Sequence, residues 1–205
     1  MTAGPCYEPI DPVRYISNRS SGKMGFALAE AARDAGAHVT LVSGPTALMP
    51  PQGVEIIPIE TTRQMYEEVD QRFDACDCLV MAAAPADFTP AHPETEKIKK
   101  AKGPLRVDLA PTVDILAAMG ARKGKQVLIG FALETENGEA NARAKLKAKN
   151  LDLVVLNSPR DEGSAFGYDS NKITVIRPDR PPESWPLLPK SEVAFRLLAL
   201  IESML

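Results

Sequence analysis

The 205-residue chain, 44% hydrophobic and 25% charged, is long enough to bury one sizeable core and too short for two full domains. Its 24 Lys and Arg against 27 Asp and Glu leave a net charge of -3, which supplies no global positive field for nucleic acid or an anionic membrane. Apolar stretches such as CLVMAAAPA fall far short of the roughly 18 to 20 residues of a membrane span, and no basic-then-apolar signal opens the chain, so it is expected to be cytoplasmic.

The opening MTAGP reads as the last residues of a strand whose earlier part is missing. From Gly4 to Ser20 runs GPCYEPIDPVRYISNRS, a loop far longer than the usual connection of about 2 to 6 residues, and long ordered loops at a sheet edge carry function. SSGKMG follows, with Ser20 or Ser21 as the expected cap of a helix that stops at Gly36. Glycines and backbone N–H groups at a helix start suit an anion, although Gly22 and Gly25 would equally serve helix-to-sheet packing. The stretch is no P-loop, because Ser17 stands where a glycine is needed and Met24 where Ser or Thr would bind Mg²⁺.

Next come strand AHVTLVSG, helix TTRQMYEEVDQRF, strand CLVMAAA, helix TVDILAAMGAR, strand QVLIGFAL, helix GEANARAKLKAKN and strand LDLVVLN. Helices alternating with apolar strands imply a Rossmann-like α/β fold, an open and mainly parallel sheet with helices on both faces, formed by one domain over 1–205. NKITVIRP and the segment around Trp185 predict a C-terminal antiparallel hairpin ahead of a last helix, KSEVAFRLLALIESML. Ligands in such sheets bind beyond the carboxyl ends of the strands. There AAAPADFTP offers small residues and the carboxylate of Asp87, set against a plain turn or cap role for that residue. EKIKK, residues 96–100, follows shortly after, and its lysines are either a solvated run or a phosphate cradle. Lys145 and Lys149 share one helix face at i, i+4, where matching to the helix dipole is the competing explanation. The odd set Cys6, Cys76 and Cys78 argues for reduced thiols in the core, and His38 and His92 are isolated.

Taken together, TAGP-x-YEPIDPVRYISNRSSGKMG, AAAPADFTP, EKIKK, DIL, IGFALETEN, ARAKLKAKNLDLVVLN and GYDSNKITVI resemble bacterial CTP-dependent phosphopantothenoylcysteine synthetase across almost the whole chain. The resemblance implies a ligase of coenzyme A biosynthesis that joins 4'-phosphopantothenate and L-cysteine through an acyl-cytidylate. It implies Asn18 and Lys97 as functional residues, and CTP at Asp87, Lys97, Val113, Asp114, Ile115, Leu116, Phe131, Lys145 and Lys149. Arg14, Asn18, Ala83 and Ala84 would meet phosphopantothenate. Mg²⁺ or Mn²⁺ is the implied metal, without identified ligands. A homodimer is implied, as is a flavin-dependent decarboxylase that precedes or accompanies this domain, leaving no flavin in this chain. Cys6 and Val113 depart from the family pattern, which usually has Thr or another residue at the first position and commonly Pro at the second. Two rivals fit less well. A nicotinamide-dependent oxidoreductase needs an acid at the end of its second strand, where VSGP stands, and a binding module without turnover would have lost Asn18 or Lys97.

Overall fold

A computed structural model describes residues 1–100 and 103–205. In chain order the elements are β1 (Thr2–Ala3), β2 (Tyr7–Pro9), β3 (Tyr15–Ser17), α1 (Lys23–Asp34), β4 (Thr40–Ser43), β5 (Glu55–Pro58), α2 (Thr62–Phe73), β6 (Cys78–Met81), β7 (Phe88–Pro90), β8 (Leu109–Pro111), α3 (Ile115–Ala121), β9 (Val127–Leu133), α4 (Gly138–Ala148), β10 (Leu153–Asn157), β11 (Ser170–Asn171), β12 (Thr174–Ile176), β13 (Glu183–Ser184), β14 (Leu188–Pro189) and α5 (Lys190–Glu202).

Eight strands form one sheet in the order β13-β12-β10-β9-β6-β1-β4-β5. β10, β9, β6, β1, β4 and β5 run parallel, and β12 and β13 extend the sheet antiparallel at one edge, as the C-terminal hairpin predicted. The unbroken apolar runs of the central strands follow from burial on both faces. In β6, Leu79 and Met81 point to the side where α2, α3 and α4 contribute Met65, Met119 and Leu146, while Val80 joins Leu28 of α1 and Leu197 of α5 on the other. Gly25 belongs to this packing: a Cβ there would stand 2.6 Å from the Ala3 Cβ, so only glycine lets α1 lie this close to β1.

Three features depart from the expectations. The cap of α1 is neither Ser20 nor Ser21 but Gly22, with φ 79° and no side-chain cap, because the chain enters the helix through a left-handed turn. β5 pairs with β4 as the edge strand although its sequence ends in a proline, which an edge tolerates. The long loop after β1 is itself a hairpin of β2 and β3, with stacked Tyr7 and Tyr15 rings, and Asp87 leads into a second hairpin, β7 with β8.

α2 starts at a capping box in which the Thr61 hydroxyl accepts from the Gln64 N–H and the Gln64 side chain accepts from the Thr61 N–H. Thr61→Ala should therefore lower the unfolding free energy by about 1 kcal/mol, read as a shifted urea midpoint with an unchanged slope. An unmoved midpoint would show the box to be dispensable. Among the described residues no helix is long and apolar enough to cross a membrane.

Candidate active site

From β1 the chain passes through α1 to β4 on one side, while β6 lies on the other. The strand order reverses between them, and a crevice opens at their carboxyl ends. The loop after β1 and the segment after β6 are stitched together there: the Ala84 N–H donates to the Gly4 carbonyl at 2.9 Å, and Pro5 bridges Ala84. A cleft of about 550 Å³ fills the crevice. It gathers Asn18, Ala83, Ala84, Asp87, Val113, Asp114, Ile115, Leu116, Phe131, Lys145 and Lys149, eleven of the thirteen residues singled out from the sequence.

One wall is a corner of charges. Asp114 caps α3 by accepting the Ala117 N–H at 3.0 Å and pairs with Lys149 at 2.7 Å. Burial alone would raise its pKa, but the Lys149 contact, the Ala117 N–H and the field of Lys145 outweigh it and hold the carboxyl below its usual value. Lys145 donates to the Phe131 carbonyl at 2.6 Å, and burial first, then the like charge of Lys149, lowers its pKa. The i, i+4 lysines thus do more than match the helix dipole: they bring two cations and one carboxylate to the cleft beside the Phe131 ring. The lining also includes Ser20, Ser21 and the Gly22 start of α1, a helix with no acidic residue in its first turn. Its N-terminal N–H groups and positive dipole end are therefore oriented for an anion.

Asn18 is placed at the cleft by its own amide. Its Nδ2 donates to the Ala84 carbonyl at 2.8 Å and to the Pro85 carbonyl at 3.0 Å. Both N–H bonds are spent on acceptor-only groups, which fixes the orientation of the amide and leaves Oδ1 for a ligand. A role as a donor to an oxyanion would need hydrogens that this arrangement uses elsewhere.

Lys97 and Arg14 stand outside the cleft lining. Lys97, Lys99 and Lys100 are exposed on the connection between β7 and β8. Arg14 is bound to Asp11 through Nε and Nη2 and donates to the Ile98 carbonyl at 2.9 Å, so an internal carboxylate occupies the guanidinium face. The cysteines are packing residues: burial pushes the Cys6 thiol up to about 11 and the Cys78 thiol up to about 12, far from the thiolate a nucleophile needs at neutral pH.

A family model described as the DNA/pantothenate metabolism flavoprotein C-terminal domain matches residues 1–205. The chain belongs to this family. Among curated relatives, it is 45% identical over 205 residues to the coenzyme A biosynthesis bifunctional protein CoaBC of Bacillus subtilis (strain 168), covering 100% of this chain and 50% of that protein. It is 47% identical over 203 residues to a cysteine/cysteine sulfinic acid decarboxylase from an unknown prokaryotic organism, covering 98% of this chain and 56% of the relative. The chain thus spans about half the length of the curated relatives it matches. A crystal structure of the C-terminal domain of a CoaBC protein superposes with a TM-score of 0.85 at 43% identity, over 99% of this chain and 92% of that one.

In this member of the flavoprotein C-terminal domain family, sequence reasoning missed the part of the cleft built by distant chain segments. Lys190, Lys23, Asn171 and Phe166 all line it. Lys190 is buried at the first position of α5 and donates to the Ala165 and Tyr168 carbonyls; burial and then the charge of Lys23 lower its pKa. Lys23 donates to the Gly167 carbonyl at 3.0 Å and pairs with Asp169 at 2.6 Å, so two ammonium groups brace the 165–169 turn. A lysine opening an amphipathic helix reads as a solvated end, and only the packing of that turn over it reveals its burial.

Proposed function

We propose that this domain joins 4'-phosphopantothenate to L-cysteine with CTP as co-substrate. The observation that carries the reading is one cleft that combines an uncapped helix N-terminus, the Asp114, Lys145 and Lys149 corner beside Phe131, and an oriented Asn18 amide. The naming of relatives as coenzyme A biosynthesis bifunctional proteins supports it. In the first step a phosphopantothenate carboxylate oxygen bonds to the α-phosphorus of CTP as the bond to the β-phosphate breaks, giving acyl-cytidylate and pyrophosphate. In the second step the cysteine amine attacks the acyl carbon, the bond to the phosphate oxygen breaks, and CMP leaves with an amide formed.

The residues have separable tasks. The N–H groups that open α1 accommodate phosphate oxygens, while Lys145, Lys149 and Asp114 hold the nucleoside end beside Phe131. Ala83 and Ala84 let the acyl chain approach backbone. Asn18 Oδ1 accepts an N–H of the cysteine amine and aims its lone pair at the acyl carbon. Lys97 neutralises charge on the leaving pyrophosphate from outside the cleft wall, and Arg14 belongs to its support. Among the described residues no three His, Cys, Asp or Glu side chains cluster as a metal cage. Asp87, an exposed carboxylate in the cleft, fits a Mg²⁺ ion held largely by substrate phosphates, which would supply charge neutralisation there. Val13, Tyr15, Phe88 and Leu109 stay about half exposed on the β2–β3 and β7–β8 hairpins, 57, 49, 52 and 48% respectively, which supports a homodimer through that arm. A flavin-dependent decarboxylase is the partner activity this reading expects in the longer relatives.

The test is pyrophosphate release from CTP and 4'-phosphopantothenate with Mg²⁺, with and without cysteine. Release should require both substrates and proceed without cysteine, and Lys97→Ala should slow it about tenfold to a hundredfold, as for loss of one charged hydrogen bond. A folded chain that neither binds nor turns over CTP refutes the assignment. The decarboxylase relative raises a second reading, decarboxylation by this domain. Because this domain makes up 56% of that relative, the named activity can reside in the remainder, and CO₂ release from cysteine or cysteine sulfinate by this chain would decide for it.

A further inference from the structure

The lysine run is exposed, yet its middle residue is tied down on both sides of its peptide unit. The Ile98 N–H donates to Asp11 Oδ2 at 3.0 Å, and the Ile98 carbonyl accepts from Arg14 Nη2 at 2.9 Å. Asp11 is buried, and its other oxygen accepts the Val13 and Arg14 N–H groups at 2.9 Å each, closing the tight turn between β2 and β3. The Arg14 guanidinium grips Oδ2 through Nε and Nη2, and the carboxyl is held well below the usual carboxylate range by that contact and by three N–H groups, against the cost of burial. A further strut joins the two segments where the Glu94 N–H donates to the Ile10 carbonyl at 2.9 Å. The two segments are thus joined at three points, and the lysines on either side of Ile98 have their backbone set by a residue 87 positions away.

We propose that Asp11, with Arg14, is a positioning latch: it holds Ile98 by both backbone groups so that Lys97 is presented to the pyrophosphate end of the nucleotide. Lys97 is exposed, and a lysine carries its charge on a long rotatable stem, so its place relative to the cleft depends on its backbone anchor. The inference rests on the ligase reading for its kinetic consequence but not for the latch itself.

Asp11→Asn is the sharpest probe. Asn keeps a carbonyl oxygen for the Val13 and Arg14 N–H groups, so the turn survives, but it sets a donor NH₂ against the Ile98 N–H and the guanidinium. Ile98→Pro removes the same N–H from the other side. Tryptic cutting after Lys99, a bond that neither substitution alters, should be about tenfold faster or more in either variant, because cleavage needs local release of the segment. Pyrophosphate release should slow about tenfold to a hundredfold while product formed per pyrophosphate released stays unchanged, and the double variant should be no slower than the worse single one. Unchanged cutting in both variants at an unchanged melting temperature overturns the latch. So does an equal loss of both half-reactions that tracks a fall in melting temperature. If the unaltered protein makes no pyrophosphate, the ligase reading fails by itself, and the tryptic rates still decide whether the latch exists.

Discussion

Asn18→Ala is expected to release pyrophosphate within about threefold of the unaltered rate while forming product about a hundredfold to a thousandfold more slowly, the loss typical of one removed polar contact to a transition state. Acyl-cytidylate should accumulate, visible as a CTP-derived species by quench and chromatography. The split follows from the geometry. The Asn18 amide hydrogens are engaged by the Ala84 and Pro85 carbonyls, so the side chain contributes its oxygen, and an oxygen acceptor helps an incoming N–H-bearing nucleophile rather than a carboxylate attacking phosphorus. Asn18→Asp sharpens the point. It retains an acceptor but turns a second oxygen toward those two carbonyls, so it should dislodge the side chain and do no better than alanine. Equal losses in both half-reactions, with no accumulating intermediate, would show Asn18 to be a structural tie.

The second large effect is on stability. Gly44 follows β4, and a Cβ at that position would lie 1.7 Å from the Pro5 carbonyl oxygen and 2.8 Å from its carbon. Backbone cannot swing aside as a side-chain tip can, so Gly44→Ala must push the loop after β1 off the sheet edge. Overpacking of this kind costs about 2 to 3 kcal/mol, and a protein of this size should lose about 4 to 12 °C of melting temperature. Pro5 bridges Ala84, and Ala84 holds Asn18, so ligand affinity in the cleft should fall together with stability. A melting temperature unmoved to about 1 °C would show that the loop repacks freely.

The parallel sheet was legible because CLVM, VLIGFAL and LVVL are apolar without alternation, which is how a strand covered on both faces must read. The edge strand and the two small hairpins were not. β2, β3, β7 and β8 have three residues each, too short for a period to show, and prolines punctuate them. In the cleft, the carboxylate of Asp87 and the lysines at 145 and 149 could be nominated from residue type and spacing. The direction of the Asn18 amide could not, since it depends on two carbonyls 66 and 67 residues away.

Sequence alone was enough to establish the alternation of helix and buried strand, the absence of a global charge field and the short set of residues able to do chemistry, because each is a property of neighbours along the chain. Folding settled which of those residues meet. It gathered eleven of them in one crevice where the strand order reverses, brought in Lys190 and Lys23 from two helices that the sequence predicted without placing either lysine in the site, and sent Arg14 to Asp11 and Ile98 instead. The reason is that partners separated by 84 positions, as Arg14 and Ile98 are, are chosen by the register of strands and the packing of loops, which no local pattern encodes.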